Sequence, residues 1–177
     1  MAPMHGHEPL DRWIRTRRTI KQYLPEPVPR AVLDELFELA RWAPNHRMTE
    51  PWRFRVLGPK ALGALKQAAG AGAEKLDRAP TLVVASVVPS PLPLHADEDA
   101  AAAACAVYIV LLAAHARGYA SYWRTPGVLR TAEGRAACGM PDNERVLGLM
   151  HLGIADPDAV REPPPRGELT QFARYLP

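Results

Sequence analysis

Apolar side chains recur along this chain with two different spacings, which together predict alternating helices and strands. Recurrence every three or four residues is typical of helices, whereas β-branched runs and short apolar segments are typical of strands. The predicted helices cover residues 8–16, 30–43, 59–69, 97–117 and 128–137. The predicted strands cover residues 54–57, 81–88, 119–123 and 145–154. This order predicts an α+β fold in which one sheet is covered by helices.

Proline, glycine and charge indicate where several of these elements end. Pro44 ends the second helix, and the Gly-Ala-Gly run at 70–72 predicts a flexible break after the third. A proline-rich loop at 89–94 precedes the long fourth helix. The first turn of that helix is predicted to carry the acidic residues 97–99, because the helix dipole favours negative charge there. Gly118 marks its end.

The fourth helix is apolar on nearly every side. Its uncharged run is interrupted by His115 and Arg117, which leaves about fifteen apolar residues, fewer than a bilayer requires. No membrane association is therefore expected, and a helix buried on more than one side is predicted. A helix shared across the interface of a dimer would explain this pattern.

Composition and charge favour a soluble globular protein. The 177 residues are 47% hydrophobic and 23% charged, with a net charge of +3. Neither repeats nor a domain boundary are visible, so residues 1–177 are predicted to form one domain. Basic residues crowd only at 15, 17, 18 and 21 and lack interleaved aromatic residues, so no nucleic-acid partner is expected. An anionic small molecule fits the same charge equally well.

The cysteine and histidine residues indicate a cellular compartment and argue against a metal site. Cys105 and Cys138 are the only cysteines, so a reducing cytoplasm is expected instead of a disulfide framework. The first ten residues lack the apolar core of a signal peptide, and residues 1–8 are predicted to be a flexible tail. The six histidines are dispersed, without a His-Glu-x-x-His or Cys-x-x-Cys spacing, so no metal site is predicted.

Three short motifs carry the candidate chemistry. The Arg-Arg-Thr run at 17–19 offers two guanidinium groups beside a hydroxyl, which suit phosphate oxygens. A solvated basic helix end is the alternative interpretation of that run. Trp42 and His46 lie on either side of Pro44, and the Trp-Arg-Thr run at 123–125 ends a predicted strand. Flat surfaces and polar donors suit a ring system, so the motifs together predict a small-molecule cofactor.

The order and spacing of these motifs resemble the nitroreductase family, in particular its small single-domain branch of FMN-binding NAD(P)H nitroreductases. The resemblance covers residues 11–175, with Ala-Pro-Asn-His and Pro-Trp between 43 and 52 and Tyr-Trp-Arg-Thr at 122–125. It implies a central, mostly antiparallel sheet and a homodimer. It also implies a C-terminal arm, residues 156–177, that reaches onto the partner subunit; an arm folded on its own subunit is the alternative.

The resemblance further implies roles for individual residues around FMN. Arg17, Arg18 and Thr19 match a triplet that contacts the phosphate, the ribityl oxygens and the pyrimidine side of the ring. Trp42 and His46 match positions that lie against the FMN of the other subunit, where His46 is a candidate proton donor. No side chain is predicted to act as a nucleophile.

The strand end and the C-terminal segment complete the implied site. Trp123, Arg124 and Thr125 match a strand end at the flavin, from which backbone N–H groups can donate towards N5. Trp123 also fits a core position, because alternate strand residues point inwards. Arg166 resembles a basic residue with which the wider family grips the phosphate from the C-terminal segment.

The chain departs from the common family pattern before Pro51. Where that pattern has Asn, one residue and then Gln, this chain has Met48, Thr49 and Glu50. An asparagine that hydrogen-bonds the pyrimidine edge of the ring is therefore missing. The interval between residues 70 and 97 is also shorter than in members of the branch. These departures motivate an alternative function, a flavin-binding dimer without efficient turnover that acts as a redox sensor or interaction module.

The function that the resemblance implies is that of an FMN-dependent NAD(P)H oxidoreductase. NADH or NADPH would pass a hydride to flavin N5 and leave, and an electron-poor acceptor such as a nitroaromatic, quinone or enone would then be reduced. The expected partners are a second copy of the chain and a small-molecule acceptor.

Overall fold

The computed structural model of the chain describes residues 8–162 and 164–176, so residues 1–7 of the predicted tail lie outside the described residues. In this part of the chain the α-helices are α1 (Glu8–Thr16), α2 (Arg30–Ala40), α3 (Pro59–Ala69), α4 (Pro93–Ala116) and α5 (Ala132–Ala137). The strands are β1 (Trp52–Val56), β2 (Thr81–Val87), β3 (Ala120–Arg124) and β4 (Arg145–Gly153). Helices α1 and α3 have the predicted bounds.

The strands form one antiparallel sheet in the order β1–β2–β4–β3. Strand β2, a run of mostly β-branched and apolar residues, is buried along its whole length. Such burial is expected of a central strand with helices on both faces. Strands β1 and β3 form the two edges. The predicted α+β fold with an antiparallel sheet flanked by helices is confirmed.

Side chains of the sheet alternate between two apolar cores, one on each face. On one face α2 and α4 pack on a core that includes Val83, Ala85 and Met150. On the other face α3 and the segment after α5 pack on a core that includes Leu82 and Leu149. Burying a large aliphatic side chain contributes about 1.5–3 kcal/mol, so burial of this kind holds both helical layers to the sheet.

Helix α4 begins four residues earlier than predicted. It starts at Pro93, because proline lacks the backbone N–H that a first helical turn leaves unpaired. The acidic residues 97–99 therefore lie in its second turn and not in its first. By length and composition alone α4 could cross a bilayer. It packs on all four strands, however, with Ala103 and Val107 fully buried, so the prediction of a buried helix is confirmed.

The predicted fifth helix is two shorter pieces. Residues 127–130 form a 3-10 turn, and α5 begins only after Thr131, which is extended (φ −83°, ψ 156°). The Thr131 hydroxyl accepts a hydrogen bond from Gly134 N at 3.1 Å and so caps α5. An added Cβ at Gly134 would lie 1.9 Å from the carbonyl oxygen of Val128. The 3-10 turn therefore folds back onto α5 instead of continuing into it.

A buried ion pair ties the loop before β4 to the sheet. Arg55 of β1 donates two hydrogen bonds to the Glu144 carboxylate, at 2.7 and 2.8 Å, and the Ser86 hydroxyl of β2 donates a third. Burial raises the pKa of Glu144, but the bonds from Arg55 and Ser86 outweigh burial and hold that pKa below its ordinary value. Removing one partner would leave a buried charge without compensation, so this pair is structural.

The buried imidazole of His151, in contrast, lacks hydrogen-bond partners in the described part of the chain. His151 of β4 is fully buried, and neither of its ring nitrogens has a hydrogen-bond partner among the described residues. Burial, together with the charges of Arg124 and Arg78, lowers the pKa of His151 from 6.5 to about 4. The imidazole is therefore neutral at neutral pH, where its burial costs least.

We expect acid to reduce the free energy of unfolding in a window that His151 sets. The unfolded chain binds the imidazole proton below pH 6.5, whereas the folded chain binds it only near pH 4. The part of the free energy of unfolding that depends on a neutral His151 is therefore fully present above pH 6.5. It is lost as the pH falls towards 4, and the loss is about 3 kcal/mol. In urea unfolding, His151→Leu should lose less stability than the wild type over this window. Parallel losses in both proteins would contradict the prediction.

Candidate functional site

The segment after α1 lies beside the edge strand β3. Thr19 pairs with Ser121 in a parallel bridge, and Ile20 N donates a hydrogen bond to Ser121 O at 3.1 Å. Because the two segments run parallel, residues 17–19 lie beside the start of β3, and residues 123–125 lie at its end. The structure therefore brings two of the three predicted motifs to one edge of the sheet.

Arg17 and Arg18 form a half-buried cationic cluster beside α4. Thr16 Oγ1 lies 2.9 Å from Nε2 of His115, and burial, followed by the charges of both arginines, lowers the pKa of His115. Arg18 Nη1 donates to the backbone carbonyls of Arg15 and Arg17 at 3.1 and 3.0 Å. The buried Nε of Arg18 has no acceptor within the described ranges. Two fixed positive charges and an unused donor suit an anionic ligand.

A largely apolar cavity of about 290 Å³ opens beside this cluster, and Arg18 forms part of its wall. Trp13 and His115 also line it, and their rings meet edge to face at 5.5 Å. Ser121 is a further lining residue, and its buried hydroxyl has no hydrogen-bond partner among the residues described. Buried polar atoms are rarely left without partners in the absence of a reason. Two such atoms, Arg18 Nε and Ser121 Oγ, lie beside this cavity, which makes it a candidate binding place for a polar ligand.

A β-bulge shapes the end of β3. The register between β2 and β4 shifts at Leu147, which is an extra residue in β4, and Thr125 Oγ1 donates to Leu147 O at 3.2 Å. The indole of Trp123 lies over Gly148, where an added Cβ would come within 2.4 Å of the indole nitrogen. Trp123 is 36% exposed, so it is not the core residue that its strand position also allowed. Bulges often redirect side chains beside active sites.

A strained turn follows α2 and carries His46. Arg47, Met48 and Glu50 have φ values of 52°, 56° and 44°, which cost about 1–2 kcal/mol per residue for side chains of ordinary chirality. Thr49, in the same turn, donates from its hydroxyl to the buried Asp99 of α4 at 3.0 Å. Strained backbone of this kind persists only where neighbouring contacts hold it. The bond to α4 is one such contact.

Helix α4 keeps this turn away from the cationic cluster. His46 contacts the N-terminal part of α4 through Glu98, whereas Thr16 contacts the C-terminal part through His115. At 1.5 Å per residue, these two points on α4 lie about 25 Å apart. No hydrogen bond, ion pair or ring contact between described residues joins Trp42 or His46 to the motifs beside β3. A single chain therefore does not gather all three motifs into one site.

Two other predicted site residues are solvent-exposed. Trp42 is 80% exposed at the end of α2. Arg166 lies in the exposed C-terminal segment and makes no hydrogen bond or ion pair within the part of the chain described. The apolar side chains of that segment are also left uncovered by their own chain; they are Leu169, Phe172, Tyr175 and Leu176. The structure therefore does not show an arm folded onto its own subunit.

Three residues near the predicted motifs were missed in the sequence. His115 is 99 positions away from Thr16, and no local pattern relates the two. His95 and Glu98 lie close to His46 and share one face of α4 at a spacing of three. That spacing was a usable signal. It was overlooked because the helix was predicted to begin only at residue 97, which left His95 outside the helix.

The chain is similar to known proteins along most of its length. Residues 14–154 match the family model described as "Nitroreductase family". The chain is 30% identical over 188 residues to "Putative NAD(P)H nitroreductase YfhC" of Bacillus subtilis (strain 168), covering 96% of this chain and 97% of that protein. It is 31% identical over 166 residues to a "Putative NAD(P)H nitroreductase" of Haemophilus influenzae, covering 84% and 90%.

Solved structures share the fold. A nitroreductase-like family protein from Bacillus cereus matches with a TM-score of 0.85 at 23% identity, over 99% of this chain and 98% of that one. The FMN-dependent nitroreductase NfnB from Mycobacterium smegmatis, solved in complex with NADPH, matches with a TM-score of 0.80 at 20% identity, over 98% and 100%. At these identities the likeness establishes the fold.

We expect two substitutions of Met48 to change stability in opposite directions. Met48 is 72% exposed, so packing contributes little, and its left-handed backbone suits asparagine better than a β-branched residue. Met48→Asn should raise the free energy of unfolding by about 0.5 kcal/mol, and Met48→Val should lower it by about 1 kcal/mol. Urea unfolding measures both. Equal stabilities of the two variants would show that the turn is not strained at this residue.

Proposed function

The chain belongs to the nitroreductase family, and we propose that it is a cytoplasmic, FMN-dependent NAD(P)H oxidoreductase that reduces an electron-poor acceptor such as a nitroaromatic, quinone or enone. Relatives named as NAD(P)H nitroreductases support this proposal. So do structures of the same fold that are described as FMN-dependent and as NADPH complexes. The observation that carries it is the cationic cluster at Arg17 and Arg18, beside strand β3, which contains Trp123 near its end.

The residues of this cluster fit the phosphate of FMN. Arg17 and Arg18 are half-buried, which strengthens their attraction for an anion. The buried Nε of Arg18 has no acceptor among the described residues, and a phosphate oxygen would supply one. Thr19 adds a hydroxyl beside the start of β3. The positive charge and the available N–H and O–H donors of this set therefore support its assignment to the phosphate.

When bound, FMN supplies the hydride transfer between the nicotinamide and the acceptor. The role of the chain is then to position the ring and to set its electrostatics. The run Trp123–Thr125 presents an indole, a guanidinium and a hydroxyl at the end of β3. The bulge in β4 accepts the hydrogen bond of the Thr125 hydroxyl, and Gly148 leaves room for the indole. His46 is a donor that can give a proton to the acceptor.

The complete site is formed by two copies of the chain. The motifs at the two ends of α4 are about 25 Å apart in one copy, but an antiparallel α4 from a second copy brings opposite ends together across a two-fold axis. The outer face of α4 is suited to such a contact, because it exposes Ala101, Cys105 and Tyr108 at helical spacing. Trp42 and His46 of one copy then complete the site of the other.

The C-terminal arm belongs to the same two-chain arrangement. Its exposed apolar side chains at 169, 172, 175 and 176 find no cover on their own chain. Burying large apolar side chains is favourable by about 1.5–3 kcal/mol each, so the partner subunit is the surface on which we place them. Arg166 is part of this arm and can approach the FMN phosphate from it.

Visible spectroscopy of the purified protein tests the proposal. We expect flavin absorption that NADH or NADPH bleaches rapidly. Arg17→Ala should weaken FMN binding about tenfold or more, because a hydrogen bond to a charged group contributes about 1.5–3 kcal/mol. Arg15→Ala, which removes an exposed cation two residues away, should bind FMN like the wild type.

Two results of that experiment would redirect the proposal. A protein that shows no flavin absorption after incubation with FMN and removal of the unbound FMN would refute it. A coloured protein that neither nicotinamide bleaches would instead favour the flavin-binding dimer without turnover, which the residues at 48 and 50 motivate.

A charge on the outer face of α4 tests the two-chain site. We expect Ala101→Arg to shift the protein from dimer to monomer in analytical ultracentrifugation and to weaken FMN binding at the same time. The control is Ala64→Arg, which places the same charge on the exposed face of α3 and should leave both properties unchanged. A monomeric variant that binds FMN normally would show that one chain suffices.

A further inference from the structure

His115 of α4 is held against α1 by contacts on two sides. Its Nε2 lies 2.9 Å from Thr16 Oγ1, and its ring meets the Trp13 indole edge to face, with 88° between the ring planes. The imidazole is half-buried and lines the same cavity as Arg18. His115 is therefore held in a fixed orientation beside the cluster that is proposed to bind the FMN phosphate.

The hydrogen bonds of Thr16 define which imidazole nitrogen carries the proton. The Thr16 hydroxyl has a single proton, which it donates to Arg12 O at 2.7 Å. Thr16 Oγ1 therefore accepts from His115, so Nε2 carries the proton of the neutral ring and Nδ1 is the basic nitrogen. A second proton can bind at Nδ1 without breaking the bond to Thr16.

Two positive charges beside the imidazole oppose its protonation. Burial, followed by the charges of Arg17 and Arg18, lowers the pKa of His115. No carboxylate in the described ranges lies within ion-pair distance of the ring to offset these charges. A phosphate bound to both guanidinium groups would bring up to two negative charges and cancel their effect on the imidazole.

The remaining groups around His115 are apolar or have partners of their own. Arg117, two residues further along α4, is paired with Glu35 of α2 at 3.1 Å. The guanidinium of Arg12 lies over the Trp13 ring at 5.5 Å. The other residues that line the cavity carry no charge; they are Ile20, Gly118, Tyr119, Ala120, Ser121, Ala155 and Val160. Arg17 and Arg18 are therefore the charges that act on the imidazole.

We propose that His115 takes up one proton when the FMN phosphate binds at Arg17 and Arg18, and that its positive charge then strengthens the binding of the phosphate. The inference rests on the proposed function, which assigns the phosphate to this cluster. The proton comes from the solvent and binds at Nδ1, and no other bond forms or breaks. Coupling between two bound species is reciprocal, so protonation of His115 tightens FMN binding by the factor by which FMN favours protonation.

This coupling gives the pH dependence of FMN binding a defined sign. The pKa of His115 is lowered in the free protein and raised again by the phosphate in the complex. FMN binding therefore tightens as the pH falls through the interval between these two pKa values, by at most about tenfold per pH unit for one proton. Protonation of the phosphate itself, whose second pKa is about 6, acts in the opposite direction. The test therefore compares two proteins that bind the same phosphate.

FMN titrations of the wild type and of His115→Gln, between about pH 6 and pH 9, test the inference. Glutamine can still donate to Thr16 Oγ1 but does not titrate. We expect the ratio of the two dissociation constants, read from the quenching of flavin fluorescence, to change about fivefold or more in favour of the wild type towards the acid end. Proton uptake by the phosphate or by His46 is common to both proteins and cancels. Riboflavin, which lacks the phosphate, is the control ligand and should give a constant ratio.

Nitrogen-15 NMR of the assigned His115 ring tests the same inference in the wild type alone. We expect Nε2 to carry the proton in the FMN-free protein at alkaline pH. Saturating FMN should move the midpoint of Nδ1 protonation upwards by about 0.7 pH unit or more, which is the same fivefold coupling.

The failures of the inference and of the proposed function are distinguishable. FMN binding with a ratio that does not vary with pH, or a midpoint of His115 that FMN does not move, would overturn the inference and leave the oxidoreductase in place. An equal pH effect with riboflavin would also overturn it, because the phosphate would not be the source. A wild type that binds no FMN at any pH would overturn both.

Discussion

The burial of α4 against the sheet is the contact on which the rest of the molecule depends. Its inner face carries small residues, including Ala102, Ala103 and Ala106, which let the helix approach the strands closely. It packs on all four strands, on α1 near its C-terminal end and on the turn after α2 near its N-terminal end. Because α4 is packed in this way, it sets the distance between the turn that carries His46, near its N-terminal end, and the cluster of Arg17 and Arg18, near its C-terminal end.

Much of the fold could be predicted from the sequence, because most elements obey local rules. Helical spacing defined α1 and α3, and the β-branched run defined the central strand β2. The prediction failed where local signals conflict. Pro93 starts α4 although it lies in a proline-rich stretch, and residues 70–76 form a 3-10 turn where glycines predicted a flexible break. Thr131 splits the last helix because its side chain caps α5, a choice that tertiary packing decides.

The motifs of the candidate site could be found in the sequence, but their arrangement in space could not. The Arg-Arg-Thr and Trp-Arg-Thr runs could be found because each is contiguous, and the structure adds that both lie along β3. The distance between His46 and the arginines could not be found, since it depends on the length of α4 and on how each end is packed. His115 and His95 escaped for the same reason, because their partners are distant in sequence.

Gly148 has a consequence for how such a protein can diversify. Its backbone adopts φ 152°, and any side chain there would collide with the Trp123 indole and with the backbone of Arg124. The shape of the end of β3 therefore depends on Gly148, a buried residue of the neighbouring strand β4. Under the proposed function, selection for a different acceptor can therefore act through a buried residue of β4, by tilting the indole at the end of β3.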